Sequence, residues 1–319
     1  MKVLVMGAGA IGSVFGGTLA NAGNNVTFIG RESHMQAIRS KGLKISGIFG
    51  DYLVPNIKTY TSASEVKERD FDFVFLSVKS FDTEEAARQV LPLLSEKTPV
   101  ISLQNGLGNI EKIAEVVGEH RAVGGRVIFG VEAVEAGHVK VTVFGDKVLL
   151  GSKPGKVPMA RIAKIAEAIT KAGIPTEMTD EIERHLWGKI LYNSCLNALS
   201  AILDCHYGAL GEYPETKDIV KKVIAEIFEV AKSEGVNLGF KDTAEYEALF
   251  FGKLLPNTYS HHSSTLQDLK RGRKTEIDAM NGIIARLGEK NGVATPANLI
   301  LTQLVHAKEK MFQSQKSSV

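Results

Sequence analysis

Through the first half of the chain, short and nearly continuous apolar runs alternate with longer segments whose apolar residues recur every three to four positions. The runs "KVLVM", "NVTFI", "FDFVFLSV", "PVISLQ" and "AVGGRVIF" predict strands, and a segment such as "FDTEEAARQVLPLLSEK" predicts an amphipathic helix between two of them. Strands that are apolar on both faces and separated by helices predict a parallel, doubly wound sheet covered on both sides. The pattern then changes. "GHVKVTVFGDKVLLGS" predicts two antiparallel strands turning at Gly145-Asp146, and "MARIAKIAEAITKAG" predicts a helix stopped by Gly173. After Thr179 no strand pattern recurs. "EIERHLWGKILYNSCLNALSAIL", "ETKDIVKKVIAEIFEVAKSEG", "DTAEYEALFFGKLL", "TEIDAMNGIIARLGEKNG" and "ATPANLILTQLVHAKEK" all predict helices. The expected organisation is an α/β domain over residues 1–178 and an all-α domain over 179–319.

Composition removes several function classes. The net charge of +2 gives no electrostatic reason to expect nucleic acid or a membrane surface as partner. No apolar run approaches the roughly 20 residues that span a bilayer, and the opening "VLVM" is too short for a signal peptide. With 44% hydrophobic residues over 319 positions, the chain can bury a sizeable core without a metal or disulfide. Cys195 and Cys205 form no disulfide framework, so a reduced, cytoplasmic setting is expected. The polar tail "KMFQSQKSSV" is expected to fray.

The strongest chemical signal follows the first strand at once. Gly7-x-Gly9-x-x-Gly12 lies between strand and helix, with a second strand at the expected distance. In such a Rossmann-type unit Gly7 permits a tight turn, Gly9 lets backbone approach a pyrophosphate, and Gly12 lets helix and strand pack closely. Gly7, Ala8, Gly9, Ala10, Ile11 and Gly12 are therefore the expected cofactor-binding loop. The helix N-terminus adds unpaired N–H groups and partial positive charge. An NAD site would place a carboxylate at the tip of the second strand to hold the ribose hydroxyl. Here the tip reads Gly30-Arg31, with Glu32 next. A guanidinium suits a 2′-phosphate, so the expected cofactor is NADP(H).

Two polar residues directly follow later strands: Lys79 after "FVFLSV" and Asn105 after "PVISLQ". Ligands of doubly wound sheets sit beyond such strand ends. Lys79 can neutralise a cofactor phosphate or a substrate carboxylate, and Asn105 can orient the nicotinamide or the substrate; a solvated lysine and an Asn-Gly turn are the bland alternatives. In the helical half, Lys189, Asn193 and Asn197 are spaced four apart on an otherwise apolar helix. Each is displaced about 40° from the last, so they form one polar row. A lysine on an apolar helix is costly unless paired or lining a wet cleft, and it suits acid–base work. The competing reading is a helix meeting solvent along a narrow edge.

"GAGAIG", "LQNGLGN", "WGKILYNSCLNALSA" and "SSTLQDLKRGRKTEIDAMNG" occur in this order, and with them the whole chain resembles the ketopantoate reductases (2-dehydropantoate 2-reductases). The last two segments discriminate, since many dehydrogenases share the first. The resemblance implies a Rossmann domain followed by a helical domain related to the C-terminal part of 6-phosphogluconate dehydrogenase. It implies NADPH-dependent reduction of 2-dehydropantoate to pantoate, on the pantothenate route. By the same resemblance Lys189 matches the catalytic proton donor, Asn193, Asn197 and Ser264 match substrate-binding residues, and Glu276 matches a glutamate near cofactor and substrate. Arg31, Lys79 and Asn105 match cofactor-site positions. Taken alone, Glu276 also reads as a first-turn acid beside a Thr275-x-x-Asp278 capping box.

Two positions depart from the family pattern. His261 and Tyr207 stand where members of the family carry asparagine, and both bear on the substrate's hydroxyl end. Cys205-His206 and His261-His262 lack the spacing of a structural zinc site, so no metal is expected. The expected partner is a small 2-oxo acid, and the apolar "YEALFFGKLLPNTY" leaves a homodimer open. Besides ketopantoate reduction, the pattern admits a reductase of a different 2-oxo acid and a catalytically silent NADP(H) sensor.

Overall fold

The computed structural model describes residues 1–317, with side chains through Phe312. The described chain divides into two compact units, one of residues 1–104 and 108–182, the other of 105–107 and 183 onward.

The first unit runs β1 (Lys2–Met6), α1 (Ala10–Asn21), β2 (Asn25–Ile29), α2 (Glu32–Lys41), β3 (Leu43–Gly47), β4 (Tyr52–Val54), β5 (Lys58–Tyr60), β6 (Phe73–Leu76), α3 (Thr83–Val90), β7 (Val100–Ser102), α4 (Asn109–Val117), β8 (Ala122–Glu135), β9 (His138–Gly151), α5 (Met159–Lys171) and β10 (Thr176–Met178). All ten strands join one sheet in the order β4-β3-β9-β8-β7-β6-β1-β2-β5, with β10 on β9. The pairs from β8 through β5 are parallel, which puts the carboxyl ends of β1, β2, β6 and β7 on one edge. Two pairings are antiparallel, β8 with β9 and β3 with β4, so the sheet is mixed.

The expected turn at Gly145-Asp146 does not occur. β9 passes straight through those residues, and the hairpin turns instead at Ala136-Gly137, where Gly137 takes φ +82° in a two-residue loop. Gly145 falls between the pairs Ile128–Asp146 and Phe129–Phe144, so this glycine marks a bulge. In sequence a strand glycine followed by Asp reads the same either way.

α1 is buried along most of its length because glycines let the sheet close on it. A Cβ on Gly16 would lie 2.1 Å from Phe28 of β2, and one on Gly17 would lie 2.5 Å from Ile45 of β3. Those two strands are far apart in the sheet order, so the sheet curls around this helix. The core of the unit, including Phe15, Phe28, Phe75, Leu43 and Ile45, surrounds α1.

The second unit contains α6 (Ile182–Leu203, whose first residue belongs to the first unit), α7 (Pro214–Ser233), α8 (Thr243–Leu249), α9 (Leu255–Asn257), α10 (Ser264–Lys270), α11 (Asn281–Asn291) and α12 (Pro296–Ser317). α8 and α9 are joined by a π turn at Phe250–Leu254. α6 is apolar nearly all round and buried over residues 194–201, as expected of a central helix. Its core partners include Ile224, Ile227, Phe250, Ile284 and Val305 from four other segments. Lys308 of α12 donates to the carbonyls of Ala201 and Ile202 at 2.8 Å each, satisfying the end of α6.

The helix expected from Thr275 starts late. Ile277–Ala279 form a 3₁₀ turn, Met280 leaves helical geometry, and α11 begins at Asn281. Thr275 does accept an N–H, from Ile277 at 3.3 Å, but in a local turn and not in a capping box. α12 continues to Ser317, through most of the segment expected to fray; Ser318 and Val319 lie outside the described residues. Among the described residues no helix is long and apolar enough to cross a membrane.

Candidate active site

The glycine-rich loop leaves β1 and enters α1. Gly7 has φ +90°, and a Cβ there would sit 2.6 Å from the Val78 backbone nitrogen, so only glycine fits. The amides of Gly7 and Ala8 both donate to Ile29 O at 2.9 Å, which ties the loop to the end of β2. Ser77, just past β6, donates to Gly7 O at 2.9 Å. Gly12 lies against the same pair: its Cβ would meet Ser77 Oγ at 2.4 Å and Gly7 O at 2.9 Å. Gly9 differs. It is the N-cap of α1, no side chain caps that helix, and a Cβ there would meet nothing closer than Gly7 O at 3.8 Å. Open space over an uncapped, acid-free helix N-terminus fits an anionic group such as a dinucleotide pyrophosphate.

Arg31 is exposed and is the N-cap residue of α2, at the tip of β2. Three residues on, His34 links three segments. Its Nδ1 accepts the Gly137 N–H at 2.9 Å, so Nε2 carries the proton and donates to Ser13 Oγ of α1 at 2.9 Å. Burial, and secondarily the charge of Arg31, hold the His34 pKa below its ordinary value. A neutral imidazole thus braces the loop helix against α2 and the β8–β9 turn.

Lys79 is half-buried at the start of the 3₁₀ turn Ser80–Asp82. Behind it lies a polar chain with no counterpart in the sequence reading. Gln104 Nε2 donates to Val78 O at 3.0 Å and to Thr83 Oγ1 at 2.7 Å, while its Oε1 accepts from Ser102 at 3.0 Å. Thr83 in turn lies 3.0 Å from Asn109 Oδ1. These residues set the backbone on either side of Lys79. Their one signal in sequence is an excess of amides and hydroxyls around strand ends.

In the second unit, Lys189 Nζ donates to Asn105 Oδ1 at 2.7 Å. The Asn105 segment is itself pinned: Leu107 N donates to Ala279 O at 2.9 Å, and Gly106, at φ +95°, would collide with Ala279 if it carried a Cβ. Ala279 lies three residues after Glu276, which is buried and whose carbonyl accepts the Ala279 N–H at 3.0 Å. Lys189, Asn105 and the Glu276 segment are therefore joined by direct bonds. Along the polar row, Lys189 and Asn193 are half-buried and Asn197 is buried. Asn197 Oδ1 accepts from the buried Tyr207 hydroxyl at 2.5 Å. Ser264 is the exposed first residue of α10. The neighbouring Ser263 is the buried N-cap, accepting from Leu266 N at 3.0 Å, and its hydroxyl lies 3.3 Å from the Asn197 carbonyl. The Ser263 hydroxyl is thus brought to the polar row from behind, while Ser264 stands exposed at the start of α10. His261 is exposed, with its ring 5.1 Å from that of Tyr207.

The family model described as "Ketopantoate reductase PanE/ApbA" matches residues 3–155, and that described as "Ketopantoate reductase PanE/ApbA C terminal" matches residues 181–309. A 2-dehydropantoate 2-reductase of Aquifex aeolicus is 41% identical over 97% of each chain. Among solved structures, a PanE/ApbA family ketopantoate reductase from Ralstonia eutropha JMP134 superposes with a TM-score of 0.87 at 34% identity, covering 98% of this chain and all of that one. A D-mandelate dehydrogenase in complex with NADH and anilino(oxo)acetate superposes with a TM-score of 0.88 at 32% identity, over 98% of this chain and all of that one. With both family models matched in order and a relative of this identity along its length, the chain belongs to the PanE/ApbA ketopantoate reductase family.

Proposed function

We propose that the protein reduces 2-dehydropantoate to pantoate with NADPH. The observation that carries this reading is the Lys189 ammonium, half-buried on an apolar helix and held by Asn105 at 2.7 Å, in a chain whose relative from Aquifex aeolicus is a 2-dehydropantoate 2-reductase. The loop Gly7–Gly12 and the N-terminus of α1 would hold the cofactor's pyrophosphate, and Arg31 its 2′-phosphate. When bound, NADPH supplies the hydride that the 2-oxo carbon accepts. As the carbonyl carbon becomes tetrahedral, negative charge grows on its oxygen. Lys189 stabilises that charge and transfers one Nζ proton to the oxygen, which becomes the product hydroxyl, and water restores the ammonium. Asn105 fixes the ammonium's position through the accepted N–H. Asn193 and Asn197 would hold the substrate's oxygens, and Glu276, beside the Asn105 segment, would orient the substrate or the nicotinamide. Lys79 would meet cofactor charge. The proposed compartment is the cytoplasm, where Cys195 and Cys205, both free, stay reduced.

A Lys189→Met variant tests the assignment, since it keeps the stem and removes the ammonium. Loss of a positioned general acid predicts a fall in kcat of roughly 10²–10⁴-fold. NADPH affinity, read by cofactor fluorescence, should stay within about twofold of wild type. Unimpaired turnover would refute the role of Lys189. A second reading, reduction of a different 2-oxo acid, is favoured by the buried tyrosine at 207 and the exposed histidine at 261. Ranking 2-oxo acids by kcat/KM separates the two.

A further inference from the structure

We propose that Tyr207 is a positioning residue that locks the Asn197 amide in one orientation, so that Asn197 meets the substrate only as a hydrogen-bond donor. This rests on the reading that the α6 polar row binds a 2-oxo acid. The orientation of the amide is determined twice. On its oxygen side Asn197 Oδ1 accepts from Tyr207 Oη at 2.5 Å. On its nitrogen side Nδ2 faces Met280 Sδ at 3.4 Å, a weak acceptor. Turning the amide over would set its oxygen against the sulfur, two acceptors face to face. It would also leave the phenol proton without the oxygen that now accepts it. Burial, reinforced by the neighbouring Tyr192, keeps Tyr207 protonated far above neutral pH, so the phenol stays a donor.

Tyr207 is itself held in place. Its N–H donates to His261 O at 2.9 Å, the next amide, of Gly208, donates to Tyr259 O at 2.8 Å, and its ring packs against Tyr192 at 6.3 Å. The Asn197 backbone is fixed as well, because its carbonyl lies 3.2 Å from Ser200 Oγ and 3.3 Å from Ser263 Oγ. The amide nitrogen carries two protons. One faces the sulfur, and the second meets no protein acceptor among the described residues, although Asn197 is only 3% exposed. A buried N–H of this kind calls for an acceptor from a ligand. The acceptor-only oxygens of a 2-oxo acid are its carboxylate and its ketone, and every 2-oxo acid carries them. A substrate hydroxyl at this point would accept only with its own proton turned to a further acceptor, a condition that a carboxylate or ketone oxygen does not carry. The contact therefore recognises 2-oxo acids as a class, with no need of a terminal hydroxyl at this point.

The test is Tyr207→Phe in the full chain, with 2-dehydropantoate and with 3,3-dimethyl-2-oxobutanoate, which lacks only the terminal hydroxyl. Freeing the amide should raise KM about tenfold for both acids, the effect of one lost hydrogen bond. kcat should stay within about threefold and NADPH affinity should be unchanged. A KM shift confined to the hydroxylated acid, an unchanged KM, or a fall in kcat at constant KM each overturns the proposal. Asn197→Asp supplies a second variant, because it keeps an acceptor for Tyr207 and removes the donor; it should raise KM for both acids, and an unchanged KM overturns the proposal. Side-chain amide NMR reads the lock without turnover. The Asn197 NH₂ pair, assigned by its absence in Asn197→Asp, should be sharp in wild type and broadened or shifted in Tyr207→Phe, and identical resonances overturn it. Failure of the wild-type protein to reduce either acid would instead sink the functional reading and leave this amide measurement to decide the lock.

Discussion

Alanine at Gly9 and alanine at Gly12 should fail in opposite ways. At Gly9 the backbone is extended (φ −87°, ψ −152°), and a methyl group would meet no atom closer than 3.8 Å. Folding should tolerate it, since alanine is a somewhat poorer N-cap than glycine but also restricts the unfolded chain, and these effects of under about 1 kcal/mol oppose each other. The methyl nonetheless fills the space over the α1 N-terminus, where the cofactor's pyrophosphate would lie. Displacing one charge-assisted hydrogen bond costs about 1.5–3 kcal/mol, or roughly 10- to 100-fold in NADPH affinity. At Gly12 the methyl would meet Ser77 Oγ at 2.4 Å, Gly7 O at 2.9 Å and Val5 Cγ1 at 2.9 Å. It must push α1 off the sheet and break the Ser77–Gly7 bond. Overpacking costs about 1–3 kcal/mol and the hydrogen bond about 1 more, which for a unit of this size lowers Tm by roughly 5–15 °C. The assay pairs a thermal melt without cofactor with titration of NADPH fluorescence. Gly9→Ala should melt within about 2 °C of wild type and bind weakly. If it binds NADPH within twofold of wild type, no phosphate rests on that helix end. If it melts as early as Gly12→Ala, the space above Gly9 is not open, and the geometry argued from it is wrong.

Two further outcomes follow from side chains outside the chemistry. Glu226 of α7 accepts from the amides of Ala297 and Asn298 at 2.7 and 2.9 Å and from Asn298 Nδ2 at 2.7 Å, serving the first turn of α12 from a distant helix; Glu226→Ala should cost about 2–4 kcal/mol in urea denaturation, and Glu226→Gln clearly less. His34 has a lowered folded pKa, so below its unfolded value of about 6.5 the unfolded chain binds the proton that the folded chain excludes. Its contribution is present above that pH and is lost as pH falls, so the Tm advantage of wild type over His34→Gln should shrink between pH 7.5 and 5, and an advantage that grows toward acid would contradict the neutral bridge.

Much of the fold was legible because it rests on local patterns. The apolar runs of β1, β2, β6 and β7 are buried on both faces, so burial and sequence carry the same signal. The helical stretch after Thr179 was legible in the same way, through helical periodicity sustained over long segments. The misread hairpin shows where this stops. Gly145 in β9 and Gly137 in the true turn look alike in sequence, and only pairing with β8 decides which one turns the chain. The late start of α11 is similar: Thr275 offers a helix cap, but the Asn105 segment claims Ala279 O through Leu107, and the backbone follows that long-range bond.

The polar row on α6 was legible for a different reason. A lysine and two asparagines at four-residue spacing stand out because apolar surroundings make each of them costly, and cost of that kind marks a residue for explanation. Residues that hold such groups in place carry no comparable mark. His34 is one histidine among 8, and Ser263 is one of two adjacent serines, told apart only by which hydroxyl turns inward. Gln104 and Thr83 look like ordinary loop polarity until their bonds to Val78 and to each other are seen. A spacing rule finds residues whose neighbours lie one helical turn away. Supporting residues find their partners far along the chain, as His34 does with Ser13 and Gly137, 21 and 103 positions away. The polar row is therefore readable from the chain, while the side chains that hold its members in place are readable only from the fold.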